Sequence, residues 1–304
     1  MSTHRLAVVC AFATFLLLMV GGTVNPTGSS LACPEAWFIC HGTLFPQMTG
    51  GVLFEHGHRM VAMTVGLLQI ALSVALWRRR PDLARWGWLA LALVCVQGSL
   101  GAATVHYKLP WFVSTAHLMT AFGYFALVLF LAVRTRPATD PPAAAEALDR
   151  LRPAIGVAAA AVYLQVTLGA LVRHSGGALA SLDLPLHHGS LWPAGAPIAL
   201  KLHMLHRIVG VLVGGLALGV GVAAARTLRG RLRLAGGLAA VLVVVQIALG
   251  ALVIWTMRSV PVVVAHVGVA AAVWAMFVLL WFGTRPVAVA DAPRVALTGR
   301  EVAA

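Results

Sequence analysis

The chain has 304 residues, of which 60% are hydrophobic and only 10% are charged. A soluble domain carries about 25% charged residues, so this composition excludes an ordinary soluble protein. The net charge of +13 would suggest a nucleic-acid partner only if the positions of the basic residues were ignored, because most of them fall between long apolar runs.

Eight apolar runs are long enough to cross a bilayer, which takes about 20 residues. The runs lie near 6–24, 52–77, 86–105, 112–133, 153–172, 199–225, 234–255 and 260–283. The predicted fold class is therefore all-α, a polytopic membrane protein with eight transmembrane helices. The first run lacks a small-residue cleavage site in the right place, so it is interpreted as a span and not as a removable signal peptide.

The basic residues predict the topology. Sixteen of the 22 Lys and Arg residues precede the first span, follow the last, or lie in the loops after the second, fourth and sixth spans. The positive-inside rule then places both termini in the cytoplasm. The partner implied by this charge pattern is the lipid bilayer, and no nucleic acid is needed. Apart from His4, the histidines lie in outer loops or near the outer ends of spans, so we expect the chemistry on the outer side.

The first outer loop, LACPEAWFICHG, contains Cys33 and Cys40. Six intervening residues allow a disulfide, and an exported loop lies in an oxidising compartment. The loop is predicted to contain this bridge, with two free thiols as the alternative. Whether such a bridge is structural or redox-active stays open.

The second span begins with FEHGHR at 54–59, which places ionisable groups at the mouth of an apolar helix. Glu55 and His58 are three residues apart, so both lie on one face of the helix. Arg59 points about 100° away from His58. His56 is interpreted as a residue that faces the loop or supports the site from outside it.

The chain is a tandem duplication of a four-helix unit. The segment VQGSLGAATV recurs as VQIALGALVI, and CHGTLFP recurs as HHGSLWP. The predicted units are an N-terminal bundle (1–136), a cytoplasmic linker (137–152), a C-terminal bundle (153–284) and a cytoplasmic tail (285–304). Each unit has an even number of spans, so we expect a pseudo-twofold axis along the membrane normal to relate the two bundles. The repeated residues, 148 or 149 positions apart, are Gln97/Gln246, His117/His266 and His58–Arg59/His206–Arg207.

Each unit thus keeps one histidine on its second helix and one on its fourth. Two imidazoles that face each other across a bundle are a usual arrangement for six-coordinate haem. The alternative is that these are structural histidines, hydrogen-bonded within the core. Ionisable groups inside spans are costly, however, and are usually functional. Zinc is a weaker alternative, since neither Cys nor carboxylate partners accompany the histidines in both units. Arg59 and Arg207 are predicted to pair with a haem propionate or with a loop carboxylate or helix-end carbonyl.

The duplication fails at two places. The residue that matches Glu55 in the second unit is His203, and the Cys pair of the first loop matches Ser181 and His187. One bundle therefore has a carboxylate beside a predicted haem ligand and the other does not. This difference indicates that one site carries out chemistry while the other holds a permanent cofactor.

From about residue 6 to 284, the chain resembles the haem A synthase family. The resemblance rests on the E-x-x-H-R motif at Glu55–Arg59, the H-R pair at His206–Arg207, STAHL around His117, AHVG around His266 and the outer Cys pair. Many members have a second Cys pair in the loop of the C-terminal half. Here those positions are Ser181 and His187, so a role that needs two bridges is in doubt.

The resemblance implies an oxidoreductase that converts haem O to haem A by oxidising a ring methyl to a formyl group, through successive hydroxylations, for terminal oxidase assembly. It implies that His58 and His117 are the axial ligands of the substrate haem. It also implies that His206 and His266 bind haem b, that Glu55 is the essential carboxylate, and that Cys33 and Cys40 form the functional disulfide. The implied partners are the haem O synthase, a farnesyltransferase that makes the substrate, and a terminal oxidase that receives haem A. No motif identifies the electron acceptor.

Two other functions compete with this one. A dihaem cytochrome that transfers electrons between quinone and a periplasmic partner would explain the four histidines but not Glu55 or the one-sided Cys pair. A transporter with two parallel repeats would need a polar cavity near the bilayer midplane, whereas the polar residues here cluster in the outer third of the spans.

Overall fold

The computed structural model of the protein describes residues 1–35, 38–137 and 145–284. Within these ranges, eight helices are long and apolar enough to cross a membrane, which confirms the predicted all-α, multi-pass fold class. The helices are α1 (Thr3–Val24), α2 (Gly50–Arg79), α3 (Pro81–His106), α4 (Trp111–Arg134), α5 (Ala145–His174), α6 (Ile198–Thr227), α7 (Gly230–Trp255) and α8 (Val260–Gly283). The predicted tail at 285–304 lies outside the described residues.

The start of α5 departs from the predicted span. The helix begins at Ala145, inside the predicted linker, and continues through Pro153. A proline at an interior position removes one backbone hydrogen bond, which a long helix tolerates when neighbouring groups support it. Helical structure therefore covers the second part of the 137–152 segment, and residues 138–144 lie outside the described residues.

The helices contact one another in two groups of four. In the first group α1 and α3 each contact α2 and α4, and in the second α5 and α7 each contact α6 and α8. Between the groups, α1 packs on α8, and α4 packs on both α5 and α8. This pattern fits two four-helix units side by side. The pseudo-twofold axis between them stays a prediction.

Three segments with arginine-rich ends meet at one end of the first group. Arg79 donates to the carbonyl of Met1 at 3.2 Å, and Arg80 donates to the carbonyl of Arg134 at 3.3 Å. The start of α1, the α2–α3 junction and the end of α4 therefore lie together. The loop with Cys33 and Cys40 follows α1 and precedes α2, so it lies at the opposite end.

One helix crossing is built differently in the two groups. Between α2 and α3, Gln69 and Ser73 are fully buried and both donate to the carbonyl of Gly87, at 3.2 and 2.8 Å. Between α6 and α7, the positions of Ser73 and Gly87 are taken by Gly221 and Gly236, and the backbones approach closely. Small residues allow such contact between helices in a membrane. The second group thus replaces a polar contact with close backbone packing.

We expect Gly236→Ala to destabilise the protein by about 1–3 kcal/mol, the usual cost of overpacking. An added Cβ would lie 2.8 Å from the backbone nitrogen of Ala225 and from the carbonyl oxygen of Gly221, so α6 and α7 must separate. Gly237→Ala is the matched control, because its Cβ would meet only the Cβ of Ala225 at 3.9 Å. Denaturation in detergent micelles measures both variants, and equal stabilities would contradict the close crossing.

Candidate functional site

A cavity of about 820 Å³ lies among the helices of the first group. His58 of α2 and His117 of α4 both line it, together with Glu55 and Arg59. The rest of its wall is mainly apolar with a few polar groups, which is the usual composition of a small-molecule site. The structure thus brings the predicted haem ligands and the predicted carboxylate of the first half to one cavity.

Each of the four predicted ligands packs against a glycine on a neighbouring helix. At three of these glycines an added Cβ would come no further than 3.1 Å from the imidazole, so a larger residue would displace the ring. The glycines therefore help to place the rings, and the second half repeats the arrangement of the first. The pairs, with the distance from an added Cβ to the imidazole Cε1, are Gly21–His58 (2.9 Å), Gly101–His117 (3.1 Å), Gly169–His206 (3.0 Å) and Gly250–His266 (3.4 Å).

Two of these four histidines have a buried ring nitrogen that no protein group in the described residues satisfies. His58 Nδ1 and His266 Nδ1 are buried without a hydrogen-bond partner in the described part of the chain. The His117 ring lies 3.1 Å from the carbonyl oxygen of Gln97 and 3.3 Å from its side-chain nitrogen. A buried imidazole that lacks a partner costs free energy, and a ligated iron would offset that cost. The donor set and the cavity therefore fit a haem.

Glu55 is held in place by charged and backbone groups. One carboxylate oxygen lies 2.6 Å from Arg59 Nη2, and the other accepts a hydrogen bond from the backbone N–H of Cys33 at 2.9 Å. Only 4% of the residue is exposed, yet it lines the cavity. The carboxylate is thus oriented and attached to the loop that contains the Cys pair.

The loop over the cavity is closed by the predicted disulfide. Cys33 and Cys40 are joined and fully buried, which confirms the bridge. His56 lies beside the two sulfurs, and its Nε2 is 3.0 Å from the carbonyl oxygen of Leu44. Because the sulfurs are bonded to each other, this group is a disulfide beside an imidazole and not a metal site. His56 therefore contacts the loop, as one of its two predicted roles requires.

Glu35 fixes the turn within the same loop. Its carboxylate accepts hydrogen bonds from the backbone N–H groups of His41 and Gly42 at 2.8 and 2.9 Å. Partial desolvation acts to raise the pKa of Glu35, but the hydrogen bonds to its charged form outweigh this effect and the pKa is lowered. The loop is therefore held in its fold both by the disulfide and by the ionised carboxylate of Glu35.

Arg59 and Arg207 both bind the loop above their own helix. Arg59 donates to the carbonyls of Glu35 and Ile39 at 2.7 and 2.9 Å, in addition to its ion pair with Glu55. Arg207 donates to the carbonyls of Asp183 and Ser181 at 2.6 and 2.7 Å. Both arginines are thus bound to loop carbonyls, and their pairing with a haem propionate stays a prediction.

The second half keeps this frame but lacks the carboxylate and the disulfide. Ser181 and His187, which replace the Cys pair, are joined by a hydrogen bond of 3.1 Å between Oγ and Nδ1. His203 takes the place of Glu55, is 4% exposed, and has a buried Nδ1 without a partner in the described residues. His206 Nδ1 lies 3.0 Å from the side-chain nitrogen of Gln165. The asymmetry predicted from the sequence is therefore present as a difference in the chemistry of two similar sites.

Two basic residues of the cavity were not predicted as site residues from the sequence. Arg173 and His174, at the end of α5, belong to the second half but line the cavity of the first. His174 Nδ1 lies 3.2 Å from the hydroxyl of Thr115 on α4. The repeat offers the signal that would have identified them, because an Arg-His pair at the end of an apolar helix stands where the first half has Asn25 and Pro26.

Comparison with known proteins covers nearly the whole chain. The family model described as cytochrome oxidase assembly protein matches residues 4–278. A haem A synthase from Symbiobacterium thermophilum is 33% identical over 298 residues, which cover 92% of this chain and 95% of that protein. Haem A synthases from Bacillus licheniformis and Geobacillus kaustophilus are 27% and 28% identical, and the matches cover 86% and 84% of this chain and 89% and 82% of those proteins.

We expect Arg59→Ala to lower the free energy of unfolding by about 3–5 kcal/mol, because it leaves the Glu55 carboxylate buried without its counter-charge. Arg207→Ala also removes hydrogen bonds to a loop, but it leaves no buried carboxylate unpaired in the described residues. Its loss of free energy of unfolding should therefore be smaller. Thermal denaturation in detergent and proteolysis of the outer loops report both effects.

The double variant Glu55→Gln/Arg59→Ala separates the ion pair from the loop contacts. It should recover part of the stability lost in Arg59→Ala, because no unpaired carboxylate remains. A double variant that is less stable than Arg59→Ala would show that the loop contacts, and not the ion pair, account for the loss.

Proposed function

Because the chain belongs to the cytochrome oxidase assembly protein (COX15-CtaA) family, we propose that its N-terminal cavity is the site where haem O is oxidised. Haem A synthase activity, with haem O as substrate and oxidase assembly as context, follows from the family and from relatives of that name in several bacteria. The chain is thus an oxidoreductase of the bilayer that acts on haem. The observation that carries the placement of the reaction is that Glu55, His58 and His117 line one cavity.

His58 and His117 are the axial ligands of the substrate in this proposal. The buried Nδ1 of His58, which has no partner in the described residues, and the glycine packing of both rings support a role in binding a flat group between α2 and α4. A bound haem supplies the methyl group that is oxidised to formyl by successive hydroxylations. The protein binds and orients the ring, and its apolar walls limit the access of water to it.

Glu55 is the catalytic residue of the proposal. Its carboxylate stabilises positive charge that develops at the oxidised methyl carbon, or directs a water molecule towards that carbon. The ion pair with Arg59 and the hydrogen bond from Cys33 hold the group in place, so little reorganisation is needed during the reaction. The disulfide thereby supports the position of the carboxylate.

The C-terminal half binds haem b through His206 and His266. The glycine packing repeats that of the first half, and Gln246 contacts His266 as Gln97 contacts His117, at 3.3 Å in both cases. With His203 in place of Glu55, this site lacks the carboxylate assigned to the reaction. A haem b held there by His206 and His266 would supply electron transfer beside the proposed reactive site.

The chain lies in the bacterial inner membrane with both termini in the cytoplasm and both haem sites towards the outer face. The positive-inside rule supports this orientation, and so does the contact of Arg79 and Arg80 with other segments at the end opposite the disulfide loop. The haem O synthase delivers the substrate and a terminal oxidase receives the product. The dihaem cytochrome is not favoured, because the relatives are named as haem A synthases and because Glu55 has no purpose in it.

We expect Glu55→Gln to retain bound haem but to lose roughly 10²–10³-fold in haem A formation, the size of effect seen when an electrostatic group is removed from an active site. Glutamine keeps the volume and an acceptor for Cys33. The assay is extraction and chromatography of haems from cells that make the chain with a haem O source. His203→Gln is the control at the matching position, and full activity of Glu55→Gln would refute the catalytic role.

Substitution of His206 or His266 by alanine should remove most of the resident haem b, because each replaces one of the two proposed ligands. His58→Ala should leave that haem in place. Absorption spectra and pigment extraction from purified protein measure the occupancy. Unchanged haem b in both second-half variants would contradict the division of labour between the halves.

A further inference from the structure

Arg173 brings a buried positive charge into the first cavity from the other half of the chain. It is the second-last residue of α5 and lines the cavity near the outer end of that helix. Its Nε is buried without a hydrogen-bond partner in the described residues. Its Nη2 donates a long hydrogen bond, of 3.5 Å, to the carbonyl oxygen of Gly21.

The side chains near Arg173 do not neutralise its charge, so an anion beside it would be stabilising. His174 is its neighbour in the chain, and Arg258 is close enough for the two like charges to repel each other. None of the ion pairs found in the described residues involves Arg173. A buried charge without a counter-charge is strongly disfavoured, so a carboxylate from a bound molecule would be favoured at this point.

The other arginine of the cavity is already engaged. Arg59 binds Glu55 and the carbonyls of the disulfide loop, so its donors serve the protein itself. Arg173 has no such set of partners. It is therefore the arginine of this cavity best placed to bind an acidic group of a ligand.

The repeat makes this feature specific to one site. The first-half residue that matches Arg173 is Asn25, whose side-chain oxygen accepts a hydrogen bond from Arg258 at 3.1 Å. At this position the second half supplies an arginine to the first cavity, whereas the first half supplies an amide to the same cavity. The difference adds to those at Glu55 and at the Cys pair.

We propose that Arg173 is a positioning residue of the substrate site, where it binds a propionate carboxylate of the substrate haem. A haem held only by two axial histidines can rotate about the axis through its iron. The Arg173 guanidinium, hydrogen-bonded to a propionate carboxylate, prevents that rotation and so fixes which edge of the ring faces Glu55. This inference rests on the proposed function of the N-terminal cavity.

The test compares two probes, protohaem IX and its dimethyl ester, in which methyl esterification removes the negative charges of the propionates. Each is titrated into purified protein that already contains its resident haem, and binding is followed in the Soret band. His58→Ala identifies the signal of the N-terminal site, because that signal should be lost in this variant. The wild-type protein should bind the free acid about tenfold to a hundredfold more tightly than the ester, as expected for a charge-assisted hydrogen bond.

Arg173→Gln should abolish this preference, and Arg173→Lys should retain part of it. Lys108→Gln is the control, because Lys108 is an exposed cation of the outer α3–α4 loop that does not line the cavity. In the haem O assay, Arg173→Gln should also raise KM or divert oxidation, while the resident haem b content stays unchanged.

The possible results separate the two proposals. Equal affinity of the wild-type protein for acid and ester would overturn the role of Arg173 and leave the proposed site intact. A preference that survives in Arg173→Gln would overturn it as well. If no probe bound in a His58-dependent way, the proposed substrate site itself would fail. The wild-type comparison decides the question even if Arg173→Gln does not fold.

Discussion

A charge buried among apolar helices must be compensated. The ion pair between Arg59 and Glu55 meets this requirement at the outer end of α2, and the contacts of the outer loop are arranged around it. The carboxylate neutralises the guanidinium, and both groups also bind the backbone of the outer loop. The loop is closed by the Cys33–Cys40 disulfide, so covalent, ionic and hydrogen-bonded contacts meet at one point. A carboxylate held in this way is already oriented towards the cavity before any substrate binds.

The duplicated half shows which of these contacts belong to the frame. Arg207 binds the carbonyls of its own loop in the same manner, and a hydrogen bond between Ser181 and His187 replaces the disulfide. His203 replaces the carboxylate. The arginine clamp is thus a structural device shared by both halves, whereas the carboxylate is confined to the half that carries the proposed reaction.

The two halves are also unequal at their contact. The end of α5 crosses from the second group and places Arg173 and His174 in the wall of the first cavity. The proposed substrate site is therefore completed by the half that holds the resident haem in this proposal. A single four-helix unit, taken alone, would lack the cationic edge of the site.

Hydropathy and charge determined the eight spans, because a bilayer requires long apolar helices, and the repeat determined the four histidines and the unique Glu55. The spacing of the cysteines predicted their bridge. The sequence did not determine what Arg59 binds, since its loop partners lie up to 26 residues away and depend on how the loop folds back. It also did not place Arg173 in the first cavity. A helix end can reach a neighbouring bundle only through packing between the halves, and that contact is a property of the tertiary structure.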